Sequence, residues 1–441
     1  MIAAPEVSSL GGMPGRSEDR AKPKTPNPFI DDQKALACIH CGLCLSSCPT
    51  YLETGNENHS PRGRIYLMRA LQDGRLPIDA ETIEPIDLCL GCRACEAVCP
   101  SGVEYGHLLE QTRDHIESHF QRSPWQHFLR RIAIEKVFPY PERMEIALAP
   151  LKAIRALKLD RFLPQALRDA TALVPDSIPQ VPLPEFSPAA PPTRTLRAGF
   201  VSGCVMPVLF GQTNANTVKL LNQAGLDVVI PRDQVCCGAL HAHGGRLETA
   251  RAFARKNIAA FDRLDLDIIV VNAAGCGSTL KEYQHLLRED SAWADRAHRF
   301  NQKVKDITEV FAQYGRPLAP VLANSRRGAT VTYHDACHLC HAQGITREPR
   351  EILKNVAGAR FVELSDSDIC CGSAGTYNLT EPAMADRLQK RKIDSILKTG
   401  AQTVVTTNPG CLLQIQAGLK KANNRDVQAL HLVDFLAREL S

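Results

Sequence analysis

The sequence predicts a multidomain chain of mixed α+β and α/β character: a helical N-terminal domain dense in cysteine, then two tandem cysteine-rich modules of alternating strands and helices. Three observations predict it. The 17 cysteines fall in two groups, eight between Cys38 and Cys99 and nine between Cys204 and Cys411, with none from Pro100 to Gly203. A proline-rich stretch at 174–192, VPDSIPQVPLPEFSPAAPP, closes the gap and reads as a linker. Beyond it the sequence repeats itself. Cys204, Cys236, Cys237 and Cys276 recur as Cys337, Cys370, Cys371 and Cys411, at offsets of 133, 134, 134 and 135.

Taken in order, residues 1–27 are rich in Gly, Pro, Ser and charge and read as a disordered tail. Residues 28–120 hold the first cysteine group, and 121–195 a helical segment and the linker. The first module spans 196–325 and the second 326–441. Helical patterns run through HLLEQTRDHIESHF from His107 and WQHFLRRIAIEKVF from Trp125. In the modules, apolar runs such as RAGFVSGC, DIIVVNAAGC, ATVTYHDAC and TVVTTNPGC alternate with helical stretches. This pattern implies βαβ units, a parallel sheet and a Rossmann-like module. Cys204, Cys276, Cys337 and Cys411 then sit just past strand ends, where such sheets place ligands.

Composition excludes several classes. With 441 residues, 44% hydrophobic and 23% charged, the chain is long enough for two to four ordinary domains. A net charge of +4 without a Lys/Arg run gives no case for nucleic acid. No apolar stretch reaches the ~18 residues of a membrane span. The N-terminus lacks a secretory pattern, so the expected location is cytoplasmic. In that compartment many cysteines point to metal or redox chemistry rather than to disulfides.

The spacing specifies the chemistry. Cys38-Ile-His-Cys41-Gly-Leu-Cys44-Leu-Ser-Ser-Cys48-Pro49 and Cys89-Leu-Gly-Cys92-Arg-Ala-Cys95-Glu-Ala-Val-Cys99-Pro100 both follow C-x-x-C-x-x-C-x-x-x-C-P. This is the ligand spacing of two-cluster ferredoxins, in which the fourth cysteine serves the other cluster. Three thiolates from a tight loop surround one cubane, and the proline turns the chain away. One [4Fe–4S] cluster is thus assigned to Cys38, Cys41, Cys44 and Cys99, the other to Cys89, Cys92, Cys95 and Cys48. Structural zinc takes its cysteines from paired C-x-x-C knuckles, which two complete ferredoxin signatures do not resemble.

Cys204, Cys236, Cys237, Cys276, Cys337, Cys370, Cys371 and Cys411 are candidate ligands of a further metal or redox site. Adjacent Cα atoms ~3.8 Å apart strain a disulfide, whereas neighbouring thiolates can grip one cluster edge. The competing reading is buried packing, which cysteine often serves. Cys340, unmatched in the first copy, reads as packing before ligand. His334, His338, His341, His241 and His243 read as hydrogen-bonding side chains. A basic amphipathic segment, LKAIRALKLDRFLPQALR from Leu151, carries Lys152, Arg155, Lys158, Arg161 and Arg168. It is a candidate for peripheral membrane association, against the simpler reading of a packed helix with a solvated basic face. No dinucleotide fingerprint, phosphate loop or catalytic constellation stands out, so no catalytic residue is assigned.

The motifs resemble those of the iron–sulfur subunit of bacterial glycolate oxidase (glycolate dehydrogenase), from Asn27 to the C-terminus. The shared segments include SPRGRIYLM, CPSGVEYGHLL, GCGSTLKEY and CCGSAGTYNLT. The resemblance implies an electron-transfer subunit that is not catalytic alone. FAD would reside on partner subunits that oxidise glycolate to glyoxylate, with electrons passing toward a quinone. The paired-cysteine (CCG) modules are also similar to those of anaerobic glycerol-3-phosphate dehydrogenase, lactate-utilisation proteins and heterodisulfide reductases, which leaves these as alternatives. In heterodisulfide reductase-like members each module ends in C-x-x-C. Here Cys276 is followed by Gly-Ser-Thr and Cys411 by Leu-Leu-Gln, so the last thiolate is missing in both copies.

Overall fold

Short apolar runs become the strands of two sheets. The computed structural model describes residues 28–156, 174, 178, 181–190, 196–314, 330–357 and 360–439. The expected disordered tail lies outside them, as do part of the linker and the basic segment past Ala156.

The first sheet contains β1 (Phe186–Ser187), β2 (Leu196–Val201), β3 (Leu226–Val229), β4 (Ile268–Val271) and β5 (Val304–Asp306), in the order β1-β3-β2-β4-β5. The second contains β6 (Val331–Tyr333), β7 (Thr403–Thr406) and β8 (Gln428–His431), in the order β6-β7-β8. All pairings are parallel except β1 with β3. Helices cover both faces, so β4 (IIVV) and β7 (TVVT) are buried throughout. The linker expectation needs one amendment. Phe186 and Ser187, inside the proline-rich stretch, form an edge strand on β3.

The duplication is visible in register. Ala198 pairs with Ile268 across β2 and β4, and Val331 with Thr403 across β6 and β7. The place of β3 is taken in the second copy by a single bridge, Val331 to Phe361. The two modules share one core: Phe200, Leu221 and Val270 of the first pack with Tyr333, Leu353, Val405 and Phe435 of the second. Polar bonds pin this interface. His431 Nε2 donates to the Asn272 carbonyl at 2.9 Å, and Asp434 accepts from Thr213 at 2.7 Å and Asn216 at 2.9 Å.

The N-terminal domain is helical. Ser60 caps Pro61–Gln72, its hydroxyl accepting from Gly63 N–H at 3.0 Å with proline in the first turn. Asp79 caps Ala80–Asp87 in the same way. These helices and Tyr105–His119 enclose Ile65, Met68, Ile83, Ile86, Leu108 and Ile116. No helix of the described residues is long and apolar enough to cross a membrane.

Because the module core is shared, Phe435→Ala should weaken both modules together. Emptying a buried phenylalanine site costs ~3–5 kcal/mol. Calorimetry should show one module transition shifted as a whole; a shift confined to a separate second-module transition would contradict the shared core.

Candidate functional site

Cys48 of the first motif lies with Cys89, Cys92 and Cys95 of the second around one small cavity, which Arg64 and Tyr105 also line. Reciprocally, Cys38 stands beside Cys99, Cys41 and Cys44. The structure therefore brings together the two foursomes that the spacing implies. The second is buried, whereas Cys41 is exposed and Cys38, Cys44 and Cys99 are partly so.

The donor set suits a cubane that needs anionic ligands in a dry site. Arg64, 1% exposed, sits in the capped helix Pro61–Gln72. It donates to the Pro85 carbonyl at 2.6 Å, to Thr50 Oγ1 at 2.9 Å and to Cys48 Sγ at 3.8 Å. Tyr105 Oη and Gly91 N–H each donate to Cys89 Sγ at 3.4 Å. Burial alone would push the Cys89 thiol up, but Arg64, Arg113 and the Tyr105 hydroxyl outweigh it and hold the thiol below its usual range. Burial and neighbouring thiols push Cys92 and Cys95 up. The sequence alone does not single out Arg64, one of two arginines in SPRGRIYLM, since only the fold buries it and not Arg62 beside the thiols.

The paired cysteines sit at the C-terminal edges of the sheets. In the first module Cys204 follows β2, Cys236–Cys237 follow β3 and Cys276 follows β4. Cys204 Sγ lies 3.5 Å from Cys236 Sγ, and Cys237 interacts with both Cys236 and Cys276. In the second, Cys370 interacts with Cys337 and Cys371, and Cys371 with Cys411. Each module thus gathers its four matched cysteines in one chain of contacts. The glycine after each pair has a steric reason: Gly238 has φ +86° and Gly372 φ +88°. A Cβ on Gly372 would stand 2.7 Å from the Ala385 carbonyl oxygen.

Cys340 is buried, its thiol near the Cys337 carbonyl oxygen at 3.7 Å. The hydrogen-bonding expectation holds for His243 (to Glu110, 2.8 Å), His338 (to the Gly91 carbonyl, 3.0 Å) and His341 (to the Asp368 carbonyl, 3.0 Å). It fails for His241, whose ring nitrogens have no partner among the described residues, while the His334 ring approaches the Ser367 backbone without a well-aligned bond. Both rings are buried, and burial keeps both neutral. The His241 ring lies against Phe253, with centroids 5.2 Å apart.

The centres converge. Cys92 packs with Cys370 and Cys337 in one cluster that includes Leu90, Ala94 and Tyr377. Gly275 N–H, beside Cys276, donates to Asn408 Oδ1 at 3.1 Å, and Ala274 packs with Cys371 and Cys411. The second cysteine-rich site therefore lies between the ferredoxin-type loop and the first module's site.

Comparison with known proteins matches this geometry. A 4Fe–4S dicluster domain matches residues 34–103, and a cysteine-rich domain matches twice, at 198–281 and 331–416. The chain is 42% identical over 421 residues to the probable glycolate oxidase iron–sulfur subunit of Bacillus subtilis (strain 168), covering 92% of this chain and 94% of that one. It belongs to the glycolate oxidase iron–sulfur subunit family. Identity to the glycolate oxidase iron–sulfur subunit of Escherichia coli (strain K12) is 33% over 414 residues, covering 93% of this chain and 95% of that one. A crystal structure of a hypothetical protein from Helicobacter pylori shares the fold at TM-score 0.56 and 9% identity, covering 94% of this chain and 74% of that one. As a member of this family the chain carries iron–sulfur clusters, two of them in the dicluster domain.

Gly372→Ala should destabilise the protein by more than Gly55→Ala. Both positions have positive φ, which costs a side chain ~1–2 kcal/mol, but Gly55 faces open space while Gly372 faces the Ala385 carbonyl. Urea midpoints compare the two; equal losses would mean the close approach at Gly372 carries no weight.

Proposed function

We propose that this chain is the electron-transfer subunit of a glycolate dehydrogenase complex, linking FAD-bearing partners that oxidise glycolate to glyoxylate with a quinone or other membrane acceptor. The observation that carries the reading is the packing of Cys92 against Cys337 and Cys370, which joins two thiolate-rich centres through a buried contact. Bound cubanes supply one-electron transfer, and two-electron oxidation of an alcohol calls for a flavin on another subunit. The chain's own residues hold, insulate and electrostatically balance those centres. Arg64 offsets thiolate charge, and Leu88, Leu90 and Ala94 keep the second foursome dry. Burial of Cys236, Cys237, Cys370, Cys371 and Cys411 favours this wiring role over cleavage of a substrate disulfide, and the same burial suits a further cluster in the modules.

In this reading Cys38, Cys41, Cys44 and Cys99 hold one cubane and Cys89, Cys92, Cys95 and Cys48 the other. The domain division is the tail, ferredoxin-like unit, connector and two Rossmann-like modules of the sequence reading. A cytoplasmic position, with peripheral attachment to the inner face of the cell membrane, would place the acceptor within reach.

The cross-ligation is tested by Cys48→Ser. Electron paramagnetic resonance should show damage to the cluster served by Cys89, Cys92 and Cys95, and Cys99→Ser should damage the other. If each substitution affects only the cluster of its own motif, the assignment fails.

The complex is tested with substrate. The purified chain, carrying about eight irons, should be bleached by dithionite yet remain inert toward glycolate, lactate and glycerol 3-phosphate. Adding the flavoprotein partners should restore bleaching by glycolate. Substrate-dependent bleaching without flavin would instead place a catalytic site in this chain.

A further inference from the structure

The two modules repeat one strand pairing and one cysteine pattern, so positions at which they differ in chemistry are informative. Pairing of Ala198 with Ile268 and of Val331 with Thr403 fixes the offset of the first strand at 133. His334 then occupies the position of Val201, the last residue of β2. Ala250 and Ala385 each back the glycine after a cysteine pair, which fixes the following helix at 135. Lys392 then occupies the position of Asn257. Both changes fall beside the cysteines of the second copy alone.

His334 is 0% exposed. Its backbone N–H is bonded to the Val405 carbonyl at 2.9 Å, whereas its ring approaches the Ser367 backbone without a well-aligned hydrogen bond among the described residues. A buried imidazole whose two nitrogens are not both well bonded is costly unless something fills the remaining place. Cys371 and Cys411 supply the other side of that place. One ring nitrogen of His334 and the two Sγ atoms all lie within 4.8 Å of one another, and all three residues are buried. Ligand atoms around a single tetrahedral ion stand ~3.5–3.8 Å apart, from metal–sulfur and metal–nitrogen bonds of ~2.3 and ~2.0 Å. Thiolates that cap separate irons of a cubane are spread around its outside instead. The cluster of donors is therefore close to what one ion needs.

Charge points the same way. Two thiolates balance a divalent cation. Cys370, in contact with Cys371, adds a third thiol that can close the fourth position. Its charge would be offset by Lys392, whose ammonium donates to the carbonyls of Asp366 and Ser367 and faces Cys370 and Cys371. In the first module the matching Asn257 is neutral, donating to the Cys236 carbonyl at 3.0 Å.

We propose that the second cysteine-rich module holds one divalent transition-metal ion of borderline softness, zinc or ferrous iron, bound by His334, Cys371 and Cys411 with Cys370 in the fourth position. Imidazole with thiolate is a donor set such ions favour. The proposal deepens the reading of these modules as metal sites and rests on it. It makes the tandem copies chemically different, with thiolate donors alone in the first and an imidazole in the second.

The test is elemental analysis, acid-labile sulfide and X-ray absorption on the full chain, purified without oxygen. The sulfide counts the cubanes, so an ion in excess of their irons is read separately from them, and the absorption edge tells zinc from iron. One extra ion per chain is expected, with nitrogen and sulfur in its first shell. His334→Ala should lose that ion and leave the cubane iron and sulfide unchanged. His241→Ala removes another buried imidazole and should retain it. His334→Cys, which restores a donor should the alanine variant fold poorly, should keep the ion in an all-sulfur shell. An unchanged ion and shell in His334→Ala or His334→Cys would overturn the proposal, as would a wild type with no ion beyond the cubanes. Loss of the cubanes themselves would instead count against the electron-transfer reading.

Discussion

The seating of one short loop holds the arrangement together. The backbone from Leu88 to Gly91, which opens the second ferredoxin-type motif, is fastened from outside its own turn. Tyr377 donates its hydroxyl to the Leu88 carbonyl at 2.9 Å, His338 reaches the Gly91 carbonyl at 3.0 Å, and Arg113 bonds the Cys89 carbonyl at 2.6 Å. Arg113 also reaches the His243 carbonyl in the first module at 2.9 Å. Tyr377 and His338 belong to the second module. All three units therefore meet at this loop, and the spacing between thiolate groups is set by hydrogen bonds rather than by linker length. Electron transfer needs such fixed spacing, because a mobile tether would let the centres drift apart.

Buried charge is the second constraint. A thiolate-rich cavity is unfavourable unless cations or donors face it. Arg64 fills that role at Cys48 and Cys89, and Lys392 at Cys370 and Cys371. Arg93, bonded to Glu96 and Glu282, closes the side of the same junction toward the first module. Each cation is itself held by carbonyl or carboxylate groups, so its position is fixed before any metal arrives. This is preorganisation of the kind that outer-shell partners give metal sites.

Duplication supplied the frame on which the modules differ. Both copies keep the strand–cysteine junctions and the glycine after each cysteine pair, because a parallel sheet presents its strand ends on one edge and the turn there tolerates no Cβ. They also share one core, so neither sheet buries its apolar face alone. Positions that line the sites without shaping the turn were free to change, and His334 and Lys392 are two of them.

Much of this was legible in the sequence. The ferredoxin-type spacing predicts which cysteines gather, because a cubane demands thiolates at fixed intervals along a tight loop. The constant offset between Cys204–Cys276 and Cys337–Cys411 shows the duplication, and the apolar runs before those cysteines locate the strands. Less was legible where the meaning of a residue depends on what lies across space. Arg64 reads as an ordinary helix arginine until the fold brings Cys48 and Cys89 to it from 16 and 25 positions away. Phe186 and Ser187 lie among prolines, yet they pair because an exposed β3 edge is beside them. His334 looks like one of several histidines. Only the fold decides that the His338 ring bonds a carbonyl in another domain while the His334 ring stands beside two thiols, since pairing of a side chain is a property of its surroundings and not of its neighbours in sequence.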